Sequence, residues 1–195
     1  MVSKTRDKLI EVARQLFAYK GVENTTMNDI AAASDKGRRT IYTYFKNKRE
    51  IYNAVLERQS NGILDSLRQI LDSDATPADK LRRYIAARID MIVAQPRPRH
   101  ERYRYFFSRS ERRNEKVTRI ALQKEREMFD SLVAQGIAAG EFNPDLASRL
   151  PSLFGVILTG MEALTVHSPG DDSVPDLTEI KEAVVSYISD SILIK

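Results

Sequence analysis

The chain contains no cysteine, which excludes disulfides, thiolate nucleophiles and thiolate metal ligands. It has two histidines, His100 and His167, and neither has a partner at the H-x-x-x-H spacing of a metal-binding helix. Both read as surface or helix-end residues, and no metal site is expected. The fingerprints of a nucleophile elbow, a phosphate loop and a dinucleotide fold are all missing. The adjacent carboxylates Asp171 and Asp172 have no base beside them. Nothing therefore points to catalysis, and neither an enzyme nor a cofactor is expected. The opening MVSKTRDKLIEVARQLF is charged and has no signal-peptide apolar core. The most apolar stretch, 153–166, is interrupted by Glu162 and is too short to span a bilayer. A cytoplasmic protein without membrane contact is the expectation. No strand pattern of useful length, internal repeat or low-complexity segment is present.

What is present is enough apolar residue, 42% over 195 positions, to bury a sizeable core. The charge is unevenly placed. Residues 1–52 hold 11 Lys or Arg against 6 Asp or Glu, whereas 53–195 hold 20 against 21. The excess positive charge thus sits in the first quarter, as a nucleic-acid-binding module requires.

The apolar period is helical throughout. Leu9, Val12, Ala13, Leu16 and Phe17 share a face of a helix over 5–20, with Gly21 past its end. Thr26 and Asp29 read as a capping box for a short second helix. Ser34-Asp35-Lys36-Gly37 is turn chemistry. Arg38–Phe45 is a third helix, with Ile41 and Phe45 toward the core. Asn47 and Glu50 start a long helix over 48–71. Thr76-Pro77-Ala78-Asp79 starts another, which must end before Pro96 and Pro98. Helices follow over 99–113, 115–139, 146–167 and 177–193, with Pro151 in the first turns of its helix or at a kink.

The helix after the turn presents Arg38, Arg39, Thr40, Thr43 and Tyr44 with almost no acid nearby. Arginine can reach guanine in the major groove, and hydroxyl or phenol groups can reach bases and phosphates. The stretch LFAYKG, then TTMNDIAAAS, then TIYTYFKNKREIY resembles the tetracycline-repressor (TetR) family of bacterial regulators. That resemblance implies an all-α fold of about nine helices. A three-helix helix-turn-helix head would occupy residues 1–47, and a C-terminal helical bundle for ligand binding and dimerisation would occupy 48–195. By position it places Arg38, Arg39 and Thr40 toward the groove, and Tyr42 and Lys48 on phosphates. Thr43 and Tyr44 replace a pair that is often Tyr-His, and Thr26, Lys36 and Gly37 complete the DNA-binding set. The sequence departs from the family where Gly37 replaces a capping Ser or Thr, and where Asp35 replaces a turn glycine.

A second charged region is less specific. Residues 97–126 hold 11 basic against 4 acidic residues, and 127–195 hold 3 against 11. The two could face each other across a bundle, form the mouth of an anion-binding cavity, or add a DNA surface. The cavity reading gives a pocket lined by Tyr84, Arg88, Met91, Tyr103, Phe106, Phe107, Met128 and Phe129, for an apolar effector with an anionic end. Leu153, Ile157, Leu158, Met161, Ile180, Val184 and Ile188 form apolar faces suited to a homodimer. The expected function is a dimeric, ligand-responsive repressor on a palindromic operator. The alternative is a helical small-molecule-binding or interaction protein without a DNA role.

Overall fold

The computed structural model describes residues 2–94, 116–164 and 177–194. Nine helices lie among them: α1 Val2–Lys20, α2 Met27–Ala33, α3 Arg38–Tyr44, α4 Lys48–Leu71, α5 Pro77–Val93, α6 Lys116–Ala138, α7 Pro144–Ala147, α8 Leu150–Leu164 and α9 Leu177–Ile192. The only β-type pairing among the described residues is an isolated bridge between Phe142 and Leu193. The described chain forms two compact units. One contains residues up to 61 together with 116–121, and the other contains 62–94 with 122–194.

Local chemistry explains most helix ends. Gly21 takes φ 83° and its N–H reaches the Phe17 carbonyl at 3.0 Å, closing α1. Asn47 accepts from the Glu50 N–H at 3.0 Å, and the Glu50 carboxylate accepts from the Lys46 N–H at 2.7 Å. The start of α4 is therefore capped from both sides, one residue wider than a standard box. Thr76 caps α5 through the Asp79 N–H, and Glu141 takes the Ala78 N–H at 2.9 Å. Gly140, at φ 72°, ends α6 in a left-handed turn. Its N–H goes to Ile137 and the Glu141 N–H goes to Gly136.

One expected helix is broken. The span 146–167 does not run as a single helix, because α7 ends at Ala147 and α8 begins at Leu150. Pro151 has no N–H, and its ring would strike the carbonyl four residues earlier, at Ala147. The chain resolves this by stopping and restarting, which puts Pro151 in the first turn of α8. Residues 165–167 of that span, and the whole expected helix 99–113, lie outside the described residues.

The first unit packs Leu9, Ile10, Ala13 and Phe17 of α1 against Ile30 and Ala31 of α2, Ile41 of α3 with Phe45, and Ile51, Ala54 and Val55 of α4. The second unit packs Tyr84, Ile85 and Ile89 of α5 with Phe129, Leu132 and Val133 of α6, Phe154 of α8, and Ile188 and Ile192 of α9. Phe142 fills the gap beside Gly136. A β-carbon there would lie 2.1 Å from the ring, so only glycine fits.

Candidate nucleic-acid interface

Why the third helix can serve as a reader begins with the turn before it. The Thr26 hydroxyl accepts from the Asp29 N–H at 3.1 Å, and the Asp29 carboxylate accepts from the Thr26 N–H at 2.8 Å. Lys20 adds an ion pair to Asp29 at 3.1 Å. The Thr26 N–H, then its hydroxyl and Lys20, hold the Asp29 carboxyl down at about 2. A depressed carboxylate stabilises the fold above its unfolded pKa, and that stabilisation fades as pH falls from about 4 to about 2. Asp29→Asn should therefore be less stable than wild type at neutral pH and should converge with it near pH 2. Denaturant melts across that window test this, and a constant gap between the two proteins would refute it.

α2 then stops in a left-handed turn built on aspartate. Asp35 has φ 55°, and no other described non-glycine residue has positive φ. Its N–H bonds the Ala32 carbonyl at 3.1 Å, and the Lys36 N–H bonds the Ala31 carbonyl at 3.0 Å. This is the paired closure that usually employs glycine. Aspartate tolerates the left-handed region but is not free of its strain. Asp35→Gly should raise stability by about 0.5–1 kcal/mol, net of glycine's extra unfolded-state entropy. Urea denaturation measures it, and a loss of similar size would refute the strain argument.

Gly37 caps α3 with an extended backbone and offers no side-chain bond to the helix. α3 has seven residues, RRTIYTY, none of them acidic. Only Ile41 among them is buried. Arg38, Arg39, Tyr42 and Thr43 are exposed, and Thr40 is half-buried. The Arg38 guanidinium stacks over the Tyr42 ring at 5.8 Å, one helical turn away. The Thr43 hydroxyl donates to the Arg39 carbonyl at 3.0 Å. Tyr44 is half-buried against the head core, with Phe45 fully inside it.

Lys48 is already engaged. Its ammonium donates to the Val22 carbonyl at 2.8 Å and the Glu23 carbonyl at 3.1 Å. Two of its three donors thus tie α4 to the turn after α1, and one remains. Ten residues further along α4, Arg58 donates to the Asp7 carbonyl at 3.1 Å and pairs with the Asp7 carboxylate.

The second unit distributes the other candidate residues differently from their sequence grouping. Tyr84 and Phe129 are core residues, with ring centroids 5.0 Å apart, and Phe154 stacks on Phe129 at 5.0 Å. Burial pushes the Tyr84 phenol far up, aided by Glu125. Arg88 is buried and ion-paired, and its Nη1 has no hydrogen-bond partner among the described residues. Its Nε donates to Glu125 at 2.6 Å and its Nη2 to Glu162 at 3.4 Å. Met91 and Met128 are half-buried against the same core. Tyr103, Phe106 and Phe107 lie outside the described residues. On α8 and α9, Met161 and Ile188 are buried in their own subunit's core, and Ile157, Leu158, Ile180 and Val184 pack on it. Leu153 points outward. So do Val156 and Tyr187, 68% and 76% exposed, which sequence reasoning did not select.

The head's sequence matches the profile of bacterial regulatory proteins of the tetR family over residues 9–55. The transcriptional repressor KstR2 of Mycolicibacterium smegmatis is 27% identical over 145 residues, covering 72% of this chain and 69% of that protein. The structure of the ketosteroid transcriptional regulator KstR2 of Mycobacterium tuberculosis superposes with a TM-score of 0.63 at 21% identity, covering 97% of this chain and 95% of that one. The Bacillus subtilis regulator FadR, solved with stearoyl-CoA, gives 0.70 at 20% identity, covering 95% and 98%. Residues 9–55 match the TetR family, and over most of its length the chain is similar to TetR-family regulators. These likenesses mark it as a DNA-binding transcriptional regulator. Its all-α, TetR-like fold agrees with the expectation from sequence. Its relatives are regulators rather than enzymes. No described helix of the chain is long and apolar enough to cross a membrane.

Proposed function

We propose that the protein is a ligand-responsive repressor that binds a palindromic operator as a homodimer. Residues 1–47 would read DNA, and 48–195 would hold the effector and the dimer contact. The observation that carries this reading is α3, an acid-free helix whose exposed side is Arg38, Arg39, Tyr42 and Thr43. In this reading Arg38, Arg39 and Thr40 meet base edges. Thr26, Lys36, Gly37, Tyr42, Thr43 and Tyr44 meet the backbone or groove wall, and Lys48 has one donor left for a phosphate. Two heads on a two-fold axis would address half-sites separated by about 34–36 Å or somewhat more.

The dimer contact would use the outward faces of α8 and α9, where Leu153, Val156 and Tyr187 leave apolar surface uncovered. Tyr187→Arg should convert a dimer into a monomer in sedimentation while leaving the circular dichroism unchanged. A wild type that sediments as a monomer at micromolar concentration would remove the dimer from this reading. Ile188 is not the residue to change, because it lies inside the subunit.

The effector in this reading is an apolar molecule with an anionic end, as the stearoyl-CoA complex of FadR suggests by analogy. Its anionic end would be met by arginines of the 97–126 run rather than by Arg88, which Glu125 and Glu162 already neutralise. The test is titration of the protein onto the palindromes upstream of its own gene, at several salt concentrations, with and without acyl carboxylates. Steep salt dependence, preference for one palindrome and release by the carboxylate but not its neutral amide support the reading. Equal affinity for all duplexes would refute it.

A further inference from the structure

The reader helix has a basic neighbour that the motif does not include. Arg6 lies on the second turn of α1, and its guanidinium sits over the Phe45 ring at 5.3 Å from the centroid. Phe45 is the C-cap of α3. The opening of α1 thereby touches the end of the groove helix, although the two are 39 positions apart by the numbering. Phe45 itself is buried, so its ring serves as a seat that stacking on the guanidinium covers from outside.

Arg6 is exposed, and no described carboxylate pairs with it. Asp7, the adjacent acid, is paired with Arg58. Lys46, next after Phe45, is also exposed. The local electrostatics of α1 do not call for a cation here. Its first turn has no acidic residue, and Lys4, Arg6 and Lys8 all fall in the first two turns. The positive end of a helix favours acids, so this pattern slightly weakens α1. A cation placed against its helix dipole, held rigid by a ring and left without a partner, is ready for an anion from outside the protein.

We propose that Arg6 is a DNA-backbone contact, its guanidinium delivered by Phe45 to a phosphate beside the groove that α3 enters. This rests on the DNA-binding reading of α3 and extends it to a second element of the head. Guanidinium suits the task because its planar fork can bond two phosphate oxygens while its face stays on the ring. The contact carries no base information, so it strengthens binding without choosing sequence.

The test compares wild type, Arg6→Gln and Arg6→Lys in full-length protein, on the preferred palindrome and on a scrambled duplex. One lost phosphate contact makes the slope of log affinity against log salt shallower by about 0.9, which is about eightfold per decade of salt. Arg6→Gln should show that change on both duplexes and keep the ranking of operator variants. Arg6→Lys keeps the charge and should keep most of the slope. Melting curves of the free proteins guard against a folding defect. An unchanged slope in Arg6→Gln overturns the proposal. So does an equal loss in both variants accompanied by a lower melting temperature, because Arg6 would then only support Phe45. If the wild type binds no duplex at all, the DNA-binding reading fails and this inference with it.

Discussion

Arg88→Met should cost the folded protein about 3–5 kcal/mol, far more than the side chain's size suggests. Arg88 has only 5% of its side chain exposed, and Glu125 has 13%. Burial opposes the arginine's charge, but Glu125 and then Glu162 outweigh it and keep the guanidinium firmly protonated. Removing the cation leaves Glu125 buried without compensation, and breaking one side of a buried pair costs about that much. The pair as a whole need not be a large net stabiliser, since taking both ions from water is itself expensive. Arg88→Met with Glu125→Leu should therefore recover most of the loss, and Glu162, at 30% exposure, can turn to solvent. Chemical denaturation of the single and double variants decides between these outcomes. A single variant within about 1 kcal/mol of wild type would show that the triad carries little of the body's stability.

Arg39→Ala should weaken operator binding by about 1–3 kcal/mol and relax discrimination at one base pair. Arg39 is exposed near the start of α3 and has no ring to lie on, so it is free to extend toward a base edge. Arg38 differs because it is stacked on Tyr42. Arg38→Ala should lose its own contact and also loosen Tyr42, whereas Tyr42→Phe should keep the stack and lose only a hydroxyl contact. Lys48→Ala belongs to neither class. Its ammonium braces the Val22–Glu23 turn, so the variant should lower the head's stability along with its affinity. Gel-shift titration against a set of single-base operator variants separates the three. An Arg39→Ala protein with wild-type affinity and wild-type ranking would remove Arg39 from the reading surface.

The helix starts were legible because caps are local events. Thr26, Asn47 and Thr76 each stand within three residues of the N–H they bond. The turn at Asp35 was legible as a turn, but the left-handed backbone of that aspartate was not. Periodicity did less well where two faces of one helix are both apolar. On α8 and α9 it selected Met161 and Ile188, which face the subunit's own core, and passed over Val156 and Tyr187, which face out. A period fixes which residues share a face, but not what that face meets. The carboxylates around Arg88 were hidden for a related reason. They lie 37 and 74 residues further along the chain, and no local pattern announces them. Arg6 was invisible for the same reason, since its seat on Phe45 exists only once α1 and α3 are folded together.

The bonds from Lys48 to the turn after α1, and from Arg58 to α1 itself, make the beginning of α4 part of the head rather than an attachment to it. A reader braced in this way has a single reading frame. In the proposed dimer, the letters accepted in a half-site would depend on α3, and the gap tolerated between half-sites would be set by residues after Arg58. Operator preference would then divide into spelling and spacing, encoded in separate stretches of chain, and a regulator of this design could acquire new spacing without changing the word it reads.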